Sequence, residues 1–226
     1  MTTLVLAAHP DDEVLGCGGL IRKLALAGEK VVIGVLSGGG TSRFSAPGPD
    51  EQAQRRQLTK DCRKAAALLG ASELALEDLP DNRFDSLDLL AVVKIVESMI
   101  CRFKPAALYT HHGSDLNLDH SVTFRAALTA CRPMAGSPVK TLRCFEVASS
   151  TEWAFGRVGP CFAPDYFVDI SGTLEDKLAA MALYESEFRP FPHPRSAEAL
   201  AAKARNWGST MGLAAAEAFE TVFALA

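Results

Sequence analysis

The chain has 226 residues, of which 48% are hydrophobic and 22% are charged. This length suits a single α/β domain, and this apolar content provides a sizeable core, which excludes a disordered chain. The formal net charge of −4 gives no broad basic field, so nucleic acid and anionic membranes are not expected as partners.

Strand-like and helical segments alternate over the first 150 residues. Short apolar runs predict strands over residues 3–8, 30–36, 73–79, 106–110 and 141–147. Apolar residues at helical spacing predict helices over residues 14–27, 51–69, 87–103 and 118–130. This alternation predicts an α/β fold with a mostly parallel sheet and helices on both faces. No linker divides the chain, so we expect one domain over residues 1–226.

The pattern changes after about residue 148. Residues 153–164 are rich in aromatic residues, Gly and Pro without clear periodicity, which predicts a loop or hairpin. A short strand is expected over 166–170. Helices are predicted over 173–185, 197–206 and 213–223, the last one docked on the sheet.

The start of the chain and its cysteines bear on location. The N-terminal segment has no basic stretch typical of a signal peptide, and no uncharged apolar run approaches the ~20 residues of a membrane span. The six cysteines are scattered without a Cys-x-x-Cys pair, which favours buried free thiols in a reducing compartment. We expect a cytoplasmic protein, and the apolar C-terminal segment leaves a homo-oligomer open.

The most informative motif is Ala-His-Pro-Asp-Asp-Glu at residues 8–13, where the first strand gives way to a helix. Turns at strand ends are where open α/β sheets build their sites. His9 and Asp12 have the chemistry of metal ligands, and the neighbouring Asp11 could act on a water molecule. The alternative is that the acidic residues only cap the helix and suit its dipole.

Further ligands are expected after the fourth strand, in the segment from Thr110 to His120. In a parallel sheet this segment lies at the same edge as His9, so we predict the ligands His9, Asp12 and His120. Two imidazoles and one carboxylate suit catalytic zinc, although iron or another transition metal remains open.

Three neighbours of these residues have weaker assignments. For His111 we favour a polar surface residue at the strand end, and the same interpretation is available for His112. Asp119 is either an ordinary residue at a helix start or a support for a metal ligand.

These motifs resemble the PIG-L/LmbE family of zinc-dependent N-acetylglucosaminyl de-N-acetylases. The resemblance rests on residues 8–19 and on Asp-x-Asn-x-Asp-His at 115–120, with weaker support from 79–83 and 192–196. It implies a Rossmann-like fold and removal of acetyl groups from N-acetylglucosamine units in small glycosides or lipid-linked sugars. It also implies metal binding by His9, Asp12 and His120, with Asp11 as the general base.

One position departs from the family pattern. Many members have His-x-Asp-His in the second motif, whereas this chain has Asn117 at the first position. An asparagine can donate a hydrogen bond to an oxyanion but cannot deliver a proton. Asp11 could return the proton that it takes up, or His193 could reach the site from the Pro-rich loop.

Substrate contacts are assigned to the loop after the third strand and to one helix. Asp81 and Arg83 could bind sugar hydroxyls, although Pro-Asp-Asn is also a common turn composition. Arg56 is a further candidate, although helix arginines are more often solvated.

The glycines at 16, 18 and 19 do not have the Gly-x-Gly-x-x-Gly spacing of a nucleotide-binding loop. We interpret them as positions where the first helix packs closely.

The sequence thus predicts a zinc-dependent hydrolase that removes the N-acetyl group from an amino-sugar glycoconjugate. Two alternatives remain open. One is a metallohydrolase with another amide substrate, and the other is a non-catalytic, metal-stabilised binding module.

Overall fold

In the computed structural model, which describes residues 1–40 and 48–225, seven strands form one sheet. In chain order they are β1 (Thr2–Ala7), β2 (Lys30–Ser37), β3 (Glu73–Leu79), β4 (Ala107–His111), β5 (Thr141–Phe145), β6 (Tyr166–Asp169) and β7 (Ala216–Ala224). Their order across the sheet is β3-β2-β1-β4-β5-β7-β6.

Strands β1 to β5 are parallel, and β7 runs antiparallel to both of its neighbours. From β1 the chain first builds outward through β2 and β3, and then places β4 and β5 on the opposite side of β1. The strand order therefore reverses between β1 and β4. In open α/β sheets, the crevice at the carboxyl ends of such a strand pair is where ligands bind.

Six helices cover the sheet of the described chain. They are α1 (Asp12–Leu26), α2 (Pro49–Leu69), α3 (Leu89–Phe103), α4 (Leu118–Ala130), α5 (Leu174–Ala182) and α6 (Ala197–Thr210). One core cluster packs α1, α2, α5 and α6 on one face of the sheet, and the other packs α3 and α4. Both faces of β1 are buried, since Val5 belongs to the first cluster and Leu4 to the second. The predicted α/β fold is confirmed.

The prediction of a helix over residues 213–223 is wrong, because residues 216–223 belong to β7. Its alanines favour a helix in isolation, but pairing with β5 on one side and β6 on the other overrides that preference. Glu217 faces inward, where its carboxylate accepts hydrogen bonds from the backbone of Gly19 and Leu20 and from Lys177 Nζ. Residues 153–164 contain no strand, so of the two expectations the loop is the one observed.

Two glycines of α1 lie against other elements at close range. A Cβ atom on Gly16 would come within 2.3 Å of the Phe145 ring, and one on Gly19 within 2.7 Å of Ile170. The glycines therefore allow close packing of α1, which holds the turn before it in place. None of the helices in the described ranges combines the length and hydropathy of a membrane-spanning segment.

Candidate metal centre and active site

The three residues predicted as metal ligands meet at the carboxyl ends of β1 and β4. Asp12 Oδ2 lies 3.3 Å from His9 Nδ1 and 3.3 Å from His120 Nε2. One ligand atom from each of the three residues lies within 4.8 Å of the other two, and all three residues are buried. Two imidazole nitrogens and one carboxylate oxygen are a donor set that suits a divalent transition metal.

His9 is held from behind by Asp119. Its Nε2 lies 2.9 Å from Asp119 Oδ2, and this carboxylate also accepts the backbone N–H groups of Asn82 and Phe84. Burial alone would lower the pKa of His9. The carboxylates of Asp119 and Asp12 outweigh this effect and raise the pKa to about 10. The site therefore has a negative potential that favours a cation.

Asp115 lies behind His120 in a similar position, with its Oδ1 3.1 Å from His120 Nδ1. Asp115 accepts hydrogen bonds from the hydroxyls of Ser150 and Thr151. Burial acts to raise the pKa of Asp115, but His120 and these two hydroxyls lower it to about 2. The sequence motifs predicted no role for Asp115, although it begins the second of them.

A second group of ligating side chains shares His9. Its members are His9, Asp81 and Asp119, and Asp81 Oδ1 lies 3.3 Å from His9 Nε2. Asp119 in this group already accepts two backbone N–H groups as well as facing His9. The group around Asp12 is therefore the better candidate for a cation.

Asp11 lies beside the ligand group but outside it. Its backbone has φ 107°, a strained conformation for a non-glycine residue, and its N–H donates to Glu13 Oε2 at 3.0 Å. Its side chain does not cap α1; instead Oδ2 accepts a hydrogen bond from Arg195 Nη1 at 2.6 Å. Burial raises the pKa of Asp11 well above its usual value despite the charge of Arg195.

Of the next two histidines, His111 packs against the ligand group without joining it, and His112 contacts other residues. His111 is completely buried, accepts the Ala8 N–H at 2.8 Å, and stacks on His120 with ring centroids 4.0 Å apart. The expectation of a polar surface residue is therefore wrong, because His111 packs behind the ligands. His112 lies 2.6 Å from Glu220 Oε2 and 3.0 Å from the Pro160 carbonyl.

A polar cavity of about 270 Å³ opens onto the ligand group. In the described residues, this lining is formed by the segments that follow β1, β2, β3 and β5. The start of α4, one residue of α2 and the segment before α6 complete it. The lining residues are His9, Pro10, Asp11, Asp12, Gly39, Gly40, Leu58, Asp81, Asn82, Asn117, His120, Ser149, Ser150, Glu187 and Arg195.

Asn117 lies in this lining and caps α4. Its Oδ1 accepts the Asp119 N–H at 2.9 Å, which leaves the amide nitrogen directed elsewhere. Nδ2 donates to Asn82 Oδ1 at 3.1 Å. One hydrogen of this amide group is thus engaged, and the second is the one available for a bound molecule.

Three residues proposed for catalysis or substrate binding are not brought into the described lining of the cavity. His193 packs its ring against Trp153, with centroids 5.8 Å apart, and accepts the Arg195 N–H on Nδ1. Arg56 and Arg83 lie on α2 and on the loop after β3. From the Pro-rich segment it is Arg195 that reaches the cavity, two residues beyond His193. The sequence predicted no role for Arg195, although it lies in the weaker motif at 192–196.

The sequence matches one protein family and is similar to deacetylases of other organisms. Residues 4–131 match the family described as "PIG-L: GlcNAc-PI de-N-acetylase". The uncharacterized deacetylase YaiS of Escherichia coli K12 is 29% identical over 57% of this chain and 67% of its own length. The diacetylchitobiose deacetylase of Thermococcus kodakarensis is 28% identical over 82% of this chain and 69% of its own length.

Solved structures share the fold along the whole chain. The conserved protein TT1542 of Thermus thermophilus has a TM-score of 0.78 and 25% identity, covering 99% of this chain and 96% of its own. GalB of Pseudomonas putida KT2440, a 4-carboxy-2-hydroxymuconate hydratase, has a TM-score of 0.78 and 20% identity over 100% and 97%. A likeness of this kind shows the fold, and the reaction must be argued from the site.

Proposed function

Because the chain belongs to the PIG-L family, we propose that it is a zinc-dependent hydrolase that removes the acetyl group from an N-acetylated amino sugar. The observation that carries this proposal is the convergence of His9 and His120 on Asp12, with Asp11 held beside them and not among them. A structural zinc site is usually closed by four protein ligands, whereas these three leave a position open toward the cavity. The free cysteines of the chain support a cytoplasmic location.

His9, Asp12 and His120 are the residues that would hold the metal. When bound, a divalent cation supplies Lewis-acid polarisation of the acetyl carbonyl and makes an attacking water molecule more acidic. Asp119 and Asp115 keep the two imidazole rings oriented for this task.

Asp11 is the proposed general base. As water attacks the acetyl carbon, the Asp11 carboxylate accepts the water proton, a contribution of order 10²–10⁴ in rate. The carbon–nitrogen bond then breaks, and Asp11 returns this proton to the sugar nitrogen, which leaves as a free amine with acetate as the second product. We assign the proton return to Asp11 because His193 lies outside the described cavity lining.

Asn117 is the proposed donor to the developing oxyanion, through the amide hydrogen that Asn82 does not engage. Losing one such donor typically costs about 10²–10³ in rate. Around this centre the cavity wall offers Asp81, Asn82 and Ser149, which suit the hydroxyl groups of a sugar ring.

The activity is tested by acetate release from a panel of N-acetylhexosamines and their small glycosides, with and without a chelator. We expect release from at least one sugar, its loss on chelation and its recovery with Zn²⁺. Asp11→Asn should keep the bound metal and lose at least about 10²-fold in kcat, because the amide cannot take up a proton. Asp88→Asn, at an exposed aspartate before α3 and outside the described cavity lining, is the matched control and should stay within about twofold of wild type.

Two results would contradict this function. If no N-acetylated sugar releases acetate while another amide is hydrolysed, the chain is a metallohydrolase of different specificity. If metal binds but no substrate turns over, the site belongs to a binding module.

A further inference from the structure

The strongest unassigned feature of the molecule is the side chain of Arg195, which reaches Asp11 from 184 residues away in the chain. Only 18% of this side chain is exposed. Its Nε donates to Ser149 Oγ at 2.8 Å and to the Ala148 carbonyl at 3.3 Å, whereas Nη1 faces Asp11 Oδ2 at 2.6 Å and Glu187 Oε2 at 3.2 Å.

We infer that Arg195 is a positioning residue that keeps the Asp11 carboxylate directed away from the metal ligands. The inference rests on the proposed function, in which Asp11 must act on water and must not bind the cation. It assigns to the segment before α6 a task in the reaction that the ligand residues cannot perform.

The need for such a residue follows from the position of Asp11 next to Asp12. A carboxylate so close to a cation is itself a good ligand, and its binding would fill the open position. The hydrogen bond from the Asp11 N–H to Glu13 restrains the backbone, but it leaves the side chain free to rotate. Among the described residues, the hydrogen bond from Arg195 is the one that restrains the Asp11 carboxylate.

The charge of Arg195 supports the same assignment. A guanidinium that lines the same cavity as the ligand residues repels a cation, so metal binding does not explain its presence there. Arg195 instead forms ion pairs with the two carboxylates of Asp11 and Glu187. The planar guanidinium donates from Nε and Nη1 in two fixed directions, which the single ammonium of lysine cannot reproduce.

The test compares Arg195→Met and Arg195→Lys with Arg189→Met, a matched control at another arginine of the same segment. We expect Arg195→Met to lose about 10²-fold in kcat, since a misplacement of about 1 Å costs that much, with KM within about twofold. It should retain one metal ion per chain, and added guanidinium should restore part of kcat. Arg195→Lys should fall between wild type and Arg195→Met, and Arg189→Met should match wild type.

Absorption spectra of the Co²⁺-substituted proteins give a readout independent of turnover. In Arg195→Met the freed Asp11 becomes an additional ligand, so the d–d bands should weaken and shift as the coordination number rises. Arg189→Met should keep the wild-type spectrum.

Each failure has its own signature. Wild-type kcat in Arg195→Met, loss of its metal together with its activity, or a raised KM at unchanged kcat would each overturn the inference. If the wild-type protein releases no acetate, the proposed function fails. In that case the Co²⁺ spectrum decides, and an unchanged spectrum in Arg195→Met would overturn the positioning of Asp11.

Discussion

The ligand group depends on one oxygen atom, Asp12 Oδ2, which faces both His9 and His120. The backbone N–H of His9 donates to the same oxygen at 2.9 Å, so the carboxylate is fixed before any cation arrives. Burial alone would raise the pKa of Asp12. The neighbouring histidines, His120, His111 and His9, outweigh this effect and hold the pKa well below its usual value. Asp12 is therefore anionic, as a metal ligand must be.

Removing one imidazole tests the ligand assignment. We expect His120→Ala to lose bound metal, because two protein ligands remain where three are required. His112→Ala is the control, since His112 contacts Glu220 and Pro160 and should leave metal content unchanged. Elemental analysis after dialysis measures both variants. A normal metal content in His120→Ala would remove this residue from the ligand set.

The residues that the sequence predicted and those it missed differ in a physical way. His9, Asp12 and His120 follow or lie just beyond strand ends, and parallel strands place such segments at one edge of a sheet. Arg195 acts on Asp11, 184 residues away, and Asp115 is held against His120 by hydroxyls that are distant in sequence, including that of Thr151. No local pattern encodes those pairings, because they depend on how the segment before α6 and the loop after β5 cross the edge of the sheet.

Strand β7 shows where local secondary-structure propensity fails to predict the structure. Its sequence is rich in alanine, but β7 is paired with a strand on each side. Its side chains therefore alternate between the two faces of the sheet. The earlier strands were predicted within one or two residues, because they are short apolar runs bounded by helices. Only the tertiary pairing distinguishes the last segment.

The contact between His112, just after β4, and Glu220 on β7 spans the intervening β5, and we expect its strength to depend on pH. Burial acts to lower the pKa of His112. The hydrogen bonds to Glu220 and to the Pro160 carbonyl outweigh burial and raise this pKa above its usual value. A raised histidine pKa stabilises the fold fully below the unfolded value of about 6.5, and this contribution is lost as the pH rises through the folded pKa.

We therefore expect the difference in unfolding free energy between wild type and His112→Gln to be larger at a pH about one unit below that unfolded value than at high pH. Urea unfolding at a series of pH values measures it. Glu220→Gln should weaken this pH dependence, because it takes away the charged partner while the Pro160 carbonyl remains. A difference that stays constant across the series would show that the contact with Glu220 does not stabilise the protonated imidazole.

The reversal of strand order between β1 and β4 places two distant segments of the chain at one crevice. The first segment supplies His9, Asp11 and Asp12, and the second supplies Asn117 and His120. The loops around this crevice then shape the cavity, which is where proteins that share one fold differ in substrate and reaction.

In the proposed site three residues bind one cation, and Asp11 stays out of its coordination shell. Zinc-edge anomalous diffraction from crystals grown with Zn²⁺ locates the cation relative to all four residues. We predict one strong peak about 2.0–2.2 Å from a nitrogen of His9, an oxygen of Asp12 and a nitrogen of His120, with Asp11 beyond ligand distance. Three results would contradict this ligand assignment. They are a peak between Asp81 and Asp119, a peak bound by Asp11, and the absence of a peak in this crevice.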